Sequence, residues 1–263
     1  MFEKEITRYE NCLKEYRDKV IDKFDVQDLK EYNEILFSAH NCGLEGNTFS
    51  VNDTRALKEQ GLGFIPPGKS LFEAFEIMDH FKAHEFLMEQ TDQPLTEQLL
   101  KETHKILTEH TLTYRYKDSL PGEYTNTDMG AGDTLFGDHE VNISRVPRLM
   151  EATQKAIVSA ELHPIEISAQ FHKHFIFLHP FRDGNGRIGR LFSNFILVKL
   201  GHPIIIIDRA DKEKYINALR QCRDHRNTAP IVAFFFNTAT KRMEKDLLQK
   251  KAMIHNNNFD YTL

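Results

Sequence analysis

The amino-acid sequence predicts a mainly α-helical fold that carries one small β-hairpin. Apolar residues recur at three- and four-residue steps along most of the chain, as Leu13, Tyr16, Val20 and Phe24 do near its start. This spacing is typical of amphipathic helices. Residues 118–142 differ, because there short polar residues are mixed with Gly122, Gly130, Gly132 and Gly137. Such a composition favours a loop or a short hairpin.

The helical segments follow one another in a clear order. The spacing predicts further helices at about 28–40, 71–89, 96–110, 146–160, 164–178, 187–200, 211–222 and 230–250. The clearest linker is the stretch 61–68, which is rich in glycine and proline. We therefore predict an N-terminal helical annex at 1–62, a main domain at 63–250 and a flexible tail at 251–263.

Composition excludes several classes of protein. The net charge is −5, with both signs mixed along the chain, which argues against a general nucleic-acid binder. The apolar runs are far too short to cross a bilayer. Three widely separated cysteines, Cys12, Cys42 and Cys222, cannot all pair within one chain. We expect a cytoplasmic protein with reduced thiols, without nucleic-acid or membrane partners, and keep a homodimer as one possible assembly.

The segment His179–Arg190 is the most informative part of the sequence. Pro180 prevents a simple continuation of the preceding helix, and Gly184 and Gly186 permit backbone conformations that other residues avoid. A new helix is expected from Arg187, so free N–H groups at its N-terminus point into the turn. Such a turn is suited to bind an anion.

Four side chains of the same segment add chemistry to this turn. Arg187 and Arg190 are three residues apart and share one face of the expected helix, so both can reach one polyphosphate. Asp183 offers a hard oxygen ligand for Mg²⁺. His179 can act as a general base at neutral pH.

These residues resemble the Fic signature, H-x-F-x-(D/E)-G-N-G-R-x-x-R, at every defined position. The resemblance extends over about residues 37–236 and implies the Fic (Fido) helical fold with a β-hairpin flap. It implies that His179 deprotonates a hydroxyl of a protein target, which then attacks the α-phosphate of ATP. It also implies that Asp183 holds Mg²⁺ and that Phe181 anchors the turn in the core.

The same resemblance assigns the nucleotide-binding residues. Gly184, Asn185 and Gly186 would bind phosphate oxygens, Arg187 would contact the β-phosphate region, and Arg190 the γ-phosphate. Gly186 also bears on the activity, because members that transfer the γ-phosphate carry lysine at this position. Glycine fits the AMP-transferring arrangement better, although phosphocholine transfer uses a similar signature.

Residues 41–47 resemble the inhibitory motif of the family, (S/T)-x-x-x-E-(G/N). The resemblance implies that Glu45 pairs with Arg190 and keeps this arginine from the γ-phosphate. The sequence departs from the motif at its first position, where Asn41 stands in place of serine or threonine. A glutamate before Gly46 would also be found at any ordinary helix end, so the inhibitory role depends on the complete signature downstream.

Two weaker predictions concern the edges of the site. Tyr215 lies at a distance after the signature that suits the adenine pocket of the family, but an ordinary amphipathic helix explains it equally well. The segment near 122–138 resembles the flap on which protein targets dock by strand addition.

Three functions remain open at this stage. The first is transfer of AMP from ATP to a serine, threonine or tyrosine hydroxyl of a target protein and of the chain itself. The second is removal of AMP from a modified protein, or another Fic-type transfer of a phosphate compound. The third is a nucleotide-sensing regulatory module without turnover, which the presence of His179 and Asp183 disfavours.

Overall fold

The computed structural model describes residues 1–23, 25–132 and 134–257, with side chains up to Leu248. Its helices are α1 (Glu3–Tyr16), α2 (Val26–Leu44), α3 (Val51–Gln60), α4 (Leu71–Glu89), α5 (Glu97–Leu107), α6 (Leu112–Arg115), α7 (His139–Ser159), α8 (Pro164–Leu178), α9 (Asn185–Lys199), α10 (Lys212–Asp224) and α11 (Ala229–Asn257). Short π and 3₁₀ turns lie at Arg17–Ile21, Gly61–Gly63 and Arg209–Asp211. The mainly α-helical fold predicted from the sequence is confirmed.

Two short strands, β1 (Gly130–Ala131) and β2 (Thr134–Leu135), form the small hairpin that the sequence predicts. They pair antiparallel, with Gly130 opposite Leu135 and Ala131 opposite Thr134. Both strands are largely exposed. The hairpin therefore stands at the surface, where its backbone can meet another chain.

The core is built around α8 and α9, which pack against each other on either side of the glycine-rich turn. Helix α9 is buried along most of its length. The N-terminal helices belong to the same core, because Tyr9 and Leu13 of α1 and Phe37 of α2 share one buried cluster with Phe236 of α11. The boundary at residues 62 and 63 stays a prediction.

Four helices differ from the sequence-based expectation. The short helix α6 was not expected. Helix α3 was not expected either, and it begins directly after Ser50, whose side chain forms a reciprocal capping box with Asp53. Helix α7 begins at His139, not near 146, because Asp138 caps it and Pro147 is tolerated inside the helix. Helix α11 includes residues 251–257 of the predicted tail, and residues 258–263 lie outside the described part of the chain.

Within the described residues, no helix is long and apolar enough to cross a lipid bilayer.

Candidate active site

The turn between α8 and α9 is held in an unusual backbone conformation. His179 ends α8 with left-handed dihedral angles, φ 45° and ψ 54°, and Gly184 precedes α9 with φ 78°. The Asn185 side chain closes the turn, because its Oδ1 accepts from the Phe181 N–H at 3.0 Å and its Nδ2 donates to the Phe181 carbonyl at 2.7 Å. The Asn185 side chain is therefore occupied by the turn, and only its backbone N–H is free to face an anion.

His104 of α5 contacts the turn through its ring face and through one ring nitrogen. Its ring stacks on the fully buried Phe181 ring, with centroids 3.7 Å apart. Its Nδ1 accepts from the Gly122 N–H at 3.0 Å, so Nε2 carries the hydrogen and donates to the Asp183 carbonyl at 3.1 Å. Burial lowers the pKa of His104 to about 4. A neutral histidine of fixed tautomer thus joins the flap to the signature turn.

His179 lies half-buried at the edge of the site. Its ring stacks on Phe136, which follows the hairpin, with centroids 3.9 Å apart and planes within 9°. Nδ1 lies 3.4 Å from the Ile176 carbonyl, an arrangement that places the hydrogen on Nδ1 and the lone pair on Nε2. Burial lowers the pKa of His179 to about 4. The imidazole is therefore neutral near pH 7, in the state that a general base requires.

Two acids and two arginines alternate in a closed ring that includes Asp183, the predicted metal ligand, and that we call the charge ring. Asp183 lies 3.1 Å from Arg115 Nη1 and 3.5 Å from Arg187 Nη2. Glu76 of α4 lies 3.2 Å from Arg115 Nη2 and 3.6 Å from Arg187 Nη1. Asn47 donates to the other oxygen of Glu76 at 3.0 Å. The charge ring therefore ties Asp183 to α4, α6 and the loop after Glu45.

The Asp183 carboxylate fits a magnesium ion. Burial alone would raise its pKa, but Arg187, the Gly184 N–H and Arg115 outweigh this and hold the pKa below its usual value. An ionised oxygen donor is what Mg²⁺ prefers, and this metal usually takes one or two carboxylates together with substrate phosphates. The residues at this position thus fit a metal that shares its coordination with a nucleotide.

Arg190 lies one turn further along α9 in a different environment. Its Nε donates to Asn41 Oδ1, and its Nη2 donates to the Asn41 carbonyl at 3.2 Å and to Glu45 Oε1 at 2.6 Å. Nη1 lies 3.5 Å from the Tyr215 hydroxyl. The arginine side chain is 5% exposed, whereas that of Glu45 is 42% exposed. Arg190 therefore shares an ion pair with a residue that solvent reaches.

Glu45 also covers Gly186 at the start of α9. A Cβ built on Gly186 would overlap with Glu45 Oε1 and would lie 3.0 Å from Arg190 Nη1. Burial alone would raise the pKa of Glu45, but the charge and hydrogen bond of Arg190 outweigh it and lower this pKa. An ionised carboxylate thus occupies the N-terminal end of α9, where the sequence predicts phosphate binding.

A cleft of about 490 Å³ opens above these residues, a volume in the range of small-ligand sites. It is lined by the signature turn, by α8, by the hairpin and by α10, including Glu45, His179, Gly186, Arg190 and Tyr215. Tyr215 is buried, and its hydroxyl lies 2.7 Å from His172 Nε2. The structure therefore brings the predicted base, the second arginine and Tyr215 to one cleft. The Arg187 side chain does not line this cleft and contacts Asp183 instead.

Sequence reasoning missed several residues of this site. Glu76 and Arg115 close the charge ring, His104 holds the turn, and Phe136 covers His179. One signal was available on α4, where Glu76, His80 and His84 recur every four residues beside Ile77 and Phe81. Polar residues that share a spacing with the apolar face of a helix indicate a buried polar contact.

The chain was compared with known proteins. The model of the Fic/DOC family matches residues 94–197. The protein adenylyltransferase Fic of Nematostella vectensis is 30% identical over 201 residues, which cover 74% of this chain and 44% of that protein. The chain thus spans less than half the length of the curated relatives it matches.

Solved structures share the fold. A Fic domain-containing signaling protein from Bacteroides thetaiotaomicron superposes with a TM-score of 0.80 at 24% identity, covering 93% of this chain and 97% of that one. Fic-1 from C. elegans superposes with a TM-score of 0.75 at 21% identity, covering 95% and 73%. The matched family model, the curated relatives and the shared helical fold together show that this chain belongs to the Fic/DOC family.

Proposed function

We propose that the protein transfers AMP from ATP to a hydroxyl group of a protein target, and to itself, and that Glu45 inhibits this transfer. The observation that carries the proposal is that His179 and Arg190 line one cleft of about 490 Å³, while Asp183 lies between them on the same turn, beside Arg187. The curated relatives named protein adenylyltransferase support the same chemistry.

His179 would begin the reaction as the base. Its Nε2 would accept the proton of the target hydroxyl, and the hydroxyl oxygen would form a bond to the α-phosphorus of ATP. The bond between this phosphorus and the oxygen that bridges to the β-phosphate would break, and pyrophosphate would leave. A bound Mg²⁺ ion would neutralise phosphate charge, and Asp183 is the residue that would hold it.

The N-terminal end of α9 would bind the phosphates. The N–H groups of Asn185 and Gly186 lie at this helix start, where partial positive charge favours anions, while the Gly184 N–H donates to Asp183 Oδ1 at 2.6 Å and would reach a phosphate only by exchanging this partner. Arg190 would contact the terminal phosphate. Arg187 is 1% exposed, so its guanidinium would not meet the nucleotide directly. It would instead hold the Asp183 carboxylate in place through their ion pair.

Glu45 would act as the brake because it competes with the nucleotide for the same donors. It accepts a hydrogen bond from Arg190 at 2.6 Å and covers the space above Gly186. A carboxylate–guanidinium pair that is partly shielded from water can compete with a phosphate. The brake can be released without unfolding, because the Glu45 side chain is 42% exposed.

The target would dock on the flap near 122–138. The two strands are exposed and short, so an extended target segment could pair with them in the manner of an added strand. The homodimer and the cytoplasmic location stay predictions from the sequence.

The test measures intact mass and incorporation of labelled ATP with Mg²⁺. It compares the wild type, Glu45→Gly, and Glu45→Gly combined with His179→Ala. Glu161→Gly, which changes an exposed loop glutamate, is the control. We expect AMP on Glu45→Gly alone, and little on the wild type, the control or the double variant.

Other outcomes would support the alternatives. If Glu45→Gly labels neither itself nor a cell lysate, the inhibited AMP transferase is wrong. Release of AMP from a modified protein by the wild type, lost in Glu45→Gly, would then indicate AMP removal. ATP binding that Arg190→Ala abolishes, without turnover in any variant, would indicate a nucleotide sensor.

A further inference from the structure

We propose that Asn41 is a positioning residue for Arg190, and that it fixes this guanidinium for a terminal phosphate whether or not Glu45 is present. Asn41 would thereby set the preference for a nucleoside triphosphate over a diphosphate. The inference rests on the proposed function, because it takes Arg190 as the residue that meets the γ-phosphate.

The contacts of Arg190 divide into two kinds. Nε is held by Asn41 Oδ1, and Nη2 by the Asn41 carbonyl at 3.2 Å. Asn41 is 1% exposed, so these contacts are shielded from solvent, and Nη1 lies 3.5 Å from the hydroxyl of the buried Tyr215. The remaining contact, from Nη2 to Glu45, involves a partner that is substantially exposed. When Glu45 leaves, Asn41 still holds two of the three nitrogens, and the plane of the guanidinium is kept.

The orientation of the Asn41 amide is itself fixed by hydrogen bonding. Its Nδ2 donates to His80 Nε2 and lies 3.3 Å from the Arg187 carbonyl. A flipped amide would place its NH₂ group against the Nε–H of Arg190, donor against donor. His80 Nε2 must then carry the lone pair, and Nδ1–H donates to Ser38 Oγ at 2.9 Å.

His80 keeps this pattern because it stays neutral. It is fully buried on α4, and burial, with the charges of His84, Arg187 and Arg190, lowers its pKa well below the usual value. The chain of contacts from Ser38 through His80 to Asn41 therefore admits one arrangement of donors and acceptors. A serine or threonine at position 41 would lack the second polar atom that this chain requires.

The experiment uses the Glu45→Gly protein, so that the brake does not mask the effect. Calorimetry measures the affinity for a non-hydrolysable ATP analogue and for ADP, both with Mg²⁺, before and after Asn41→Ala. We expect the analogue to bind about tenfold more weakly, as for loss of one hydrogen bond to a charged group. We expect ADP to change less than about twofold, because it lacks the phosphate that Arg190 would meet.

A matched control is available on the same helix. Asn33 also accepts a hydrogen bond from an arginine, Arg242 of α11, away from the cleft, and Asn33→Ala should alter neither affinity. Thermal unfolding checks that each variant is folded. If Asn41→Ala is not folded, Asn41→Ser replaces it, with the same selective loss expected because one hydroxyl oxygen then stands in place of the separate oxygen and nitrogen that contact Arg190 and His80.

The outcomes separate the inference from the proposed function. If Asn41→Ala weakens both nucleotides equally, or neither, the inference is wrong while the nucleotide site stands. If Glu45→Gly binds neither nucleotide, the proposed function is wrong and the inference falls with it.

Discussion

Arg187 and Arg190 lie one turn apart on α9, and their surroundings differ more than their positions. Both are almost fully buried, at 1% and 4% exposure. Arg187 lies between the carboxylates of Glu76 and Asp183, in the charge ring. Arg190 is bonded to neutral oxygens of Asn41 and Tyr215, and to Glu45 at the surface.

The difference shows why one buried arginine is held in the structure while another can bind a ligand. A buried charge must be paired, because its desolvation is costly. Arg187 has two built-in counter-charges and cannot exchange them without disturbing α4. Arg190 has one counter-charge, from a side chain that solvent reaches, so a phosphate can take its place. The accessibility of the partner, more than that of the arginine, decides which of the two can bind a ligand.

The largest expected effect is the loss of protein stability when a partner of Arg187 is removed. Glu76→Ala removes a buried carboxylate and leaves Arg187 and Arg115 without it, which should lower the free energy of unfolding by about 3–5 kcal/mol. Glu45→Ala should cost less, about 1–2 kcal/mol, because the vacated space admits water to Arg190, which also keeps its hydrogen bonds to Asn41. Equilibrium urea unfolding measures both. Equal losses of unfolding free energy in the two variants would show that the partners of Arg187 and Arg190 do not differ in this way.

A smaller effect is expected where the two environments meet, at Gly186. The Cβ of Gly186→Ala would overlap with Glu45 Oε1, so this carboxylate should leave Arg190. The same Cβ would lie 3.0 Å from Arg190 Nη1, in the space above Gly186 that the phosphates would take. We therefore expect affinity for a non-hydrolysable ATP analogue to fall by about tenfold when Gly186→Ala is made in the Glu45→Gly background, and calorimetry measures this affinity. An unchanged affinity in that background would show that the phosphates do not approach Gly186.

The smallest effect concerns His179, a neutral side chain of the same site. Burial lowers the pKa of His179 to about 4, under the ring of Phe136, so this imidazole should stay neutral as pH falls from 7.5 to 5.5. In Phe136→Ala the pKa of His179 should rise toward 6.5, so that the imidazole is protonated as pH falls through about 6.5. At pH 7 the fraction of neutral imidazole should fall by less than about twofold. NMR titration of the imidazole measures the pKa. An unchanged pKa in the variant would mean that other residues provide the burial.

The helices could be predicted where burial leaves a stripe in the sequence. The stripe on α1, with Leu13 and Tyr16, is buried in the structure. Helix α3 buries only Thr54 and Leu57, so it has no stripe, and its capping box was the sole local signal. The position of its start is decided by two hydrogen bonds, which apolar spacing does not reveal.

Apart from Glu45 and Tyr215, which the family resemblance indicated, the site could be predicted only as far as its residues are neighbours in sequence. The signature turn supplies the base, the carboxylate and both arginines within one segment. Glu76, Arg115 and His80 reach the same place from α4 and α6, and their approach depends on how those helices pack. The buried partner Glu76 of Arg187 was therefore not visible in the sequence, whereas the pairing of Arg190 with Glu45 was implied by the family resemblance.

The left-handed end of α8 at His179 has an electrostatic consequence. Peptide dipoles leave partial negative charge at the C-terminus of a helix and partial positive charge at its N-terminus. His179 lies at the first kind of end, and α9 begins at Asn185 with the second. In the proposed transfer, a proton would arrive at the negative pole while pyrophosphate charge gathers at the positive pole. The field across this short turn is thus directed so that both products of charge separation are stabilised at once.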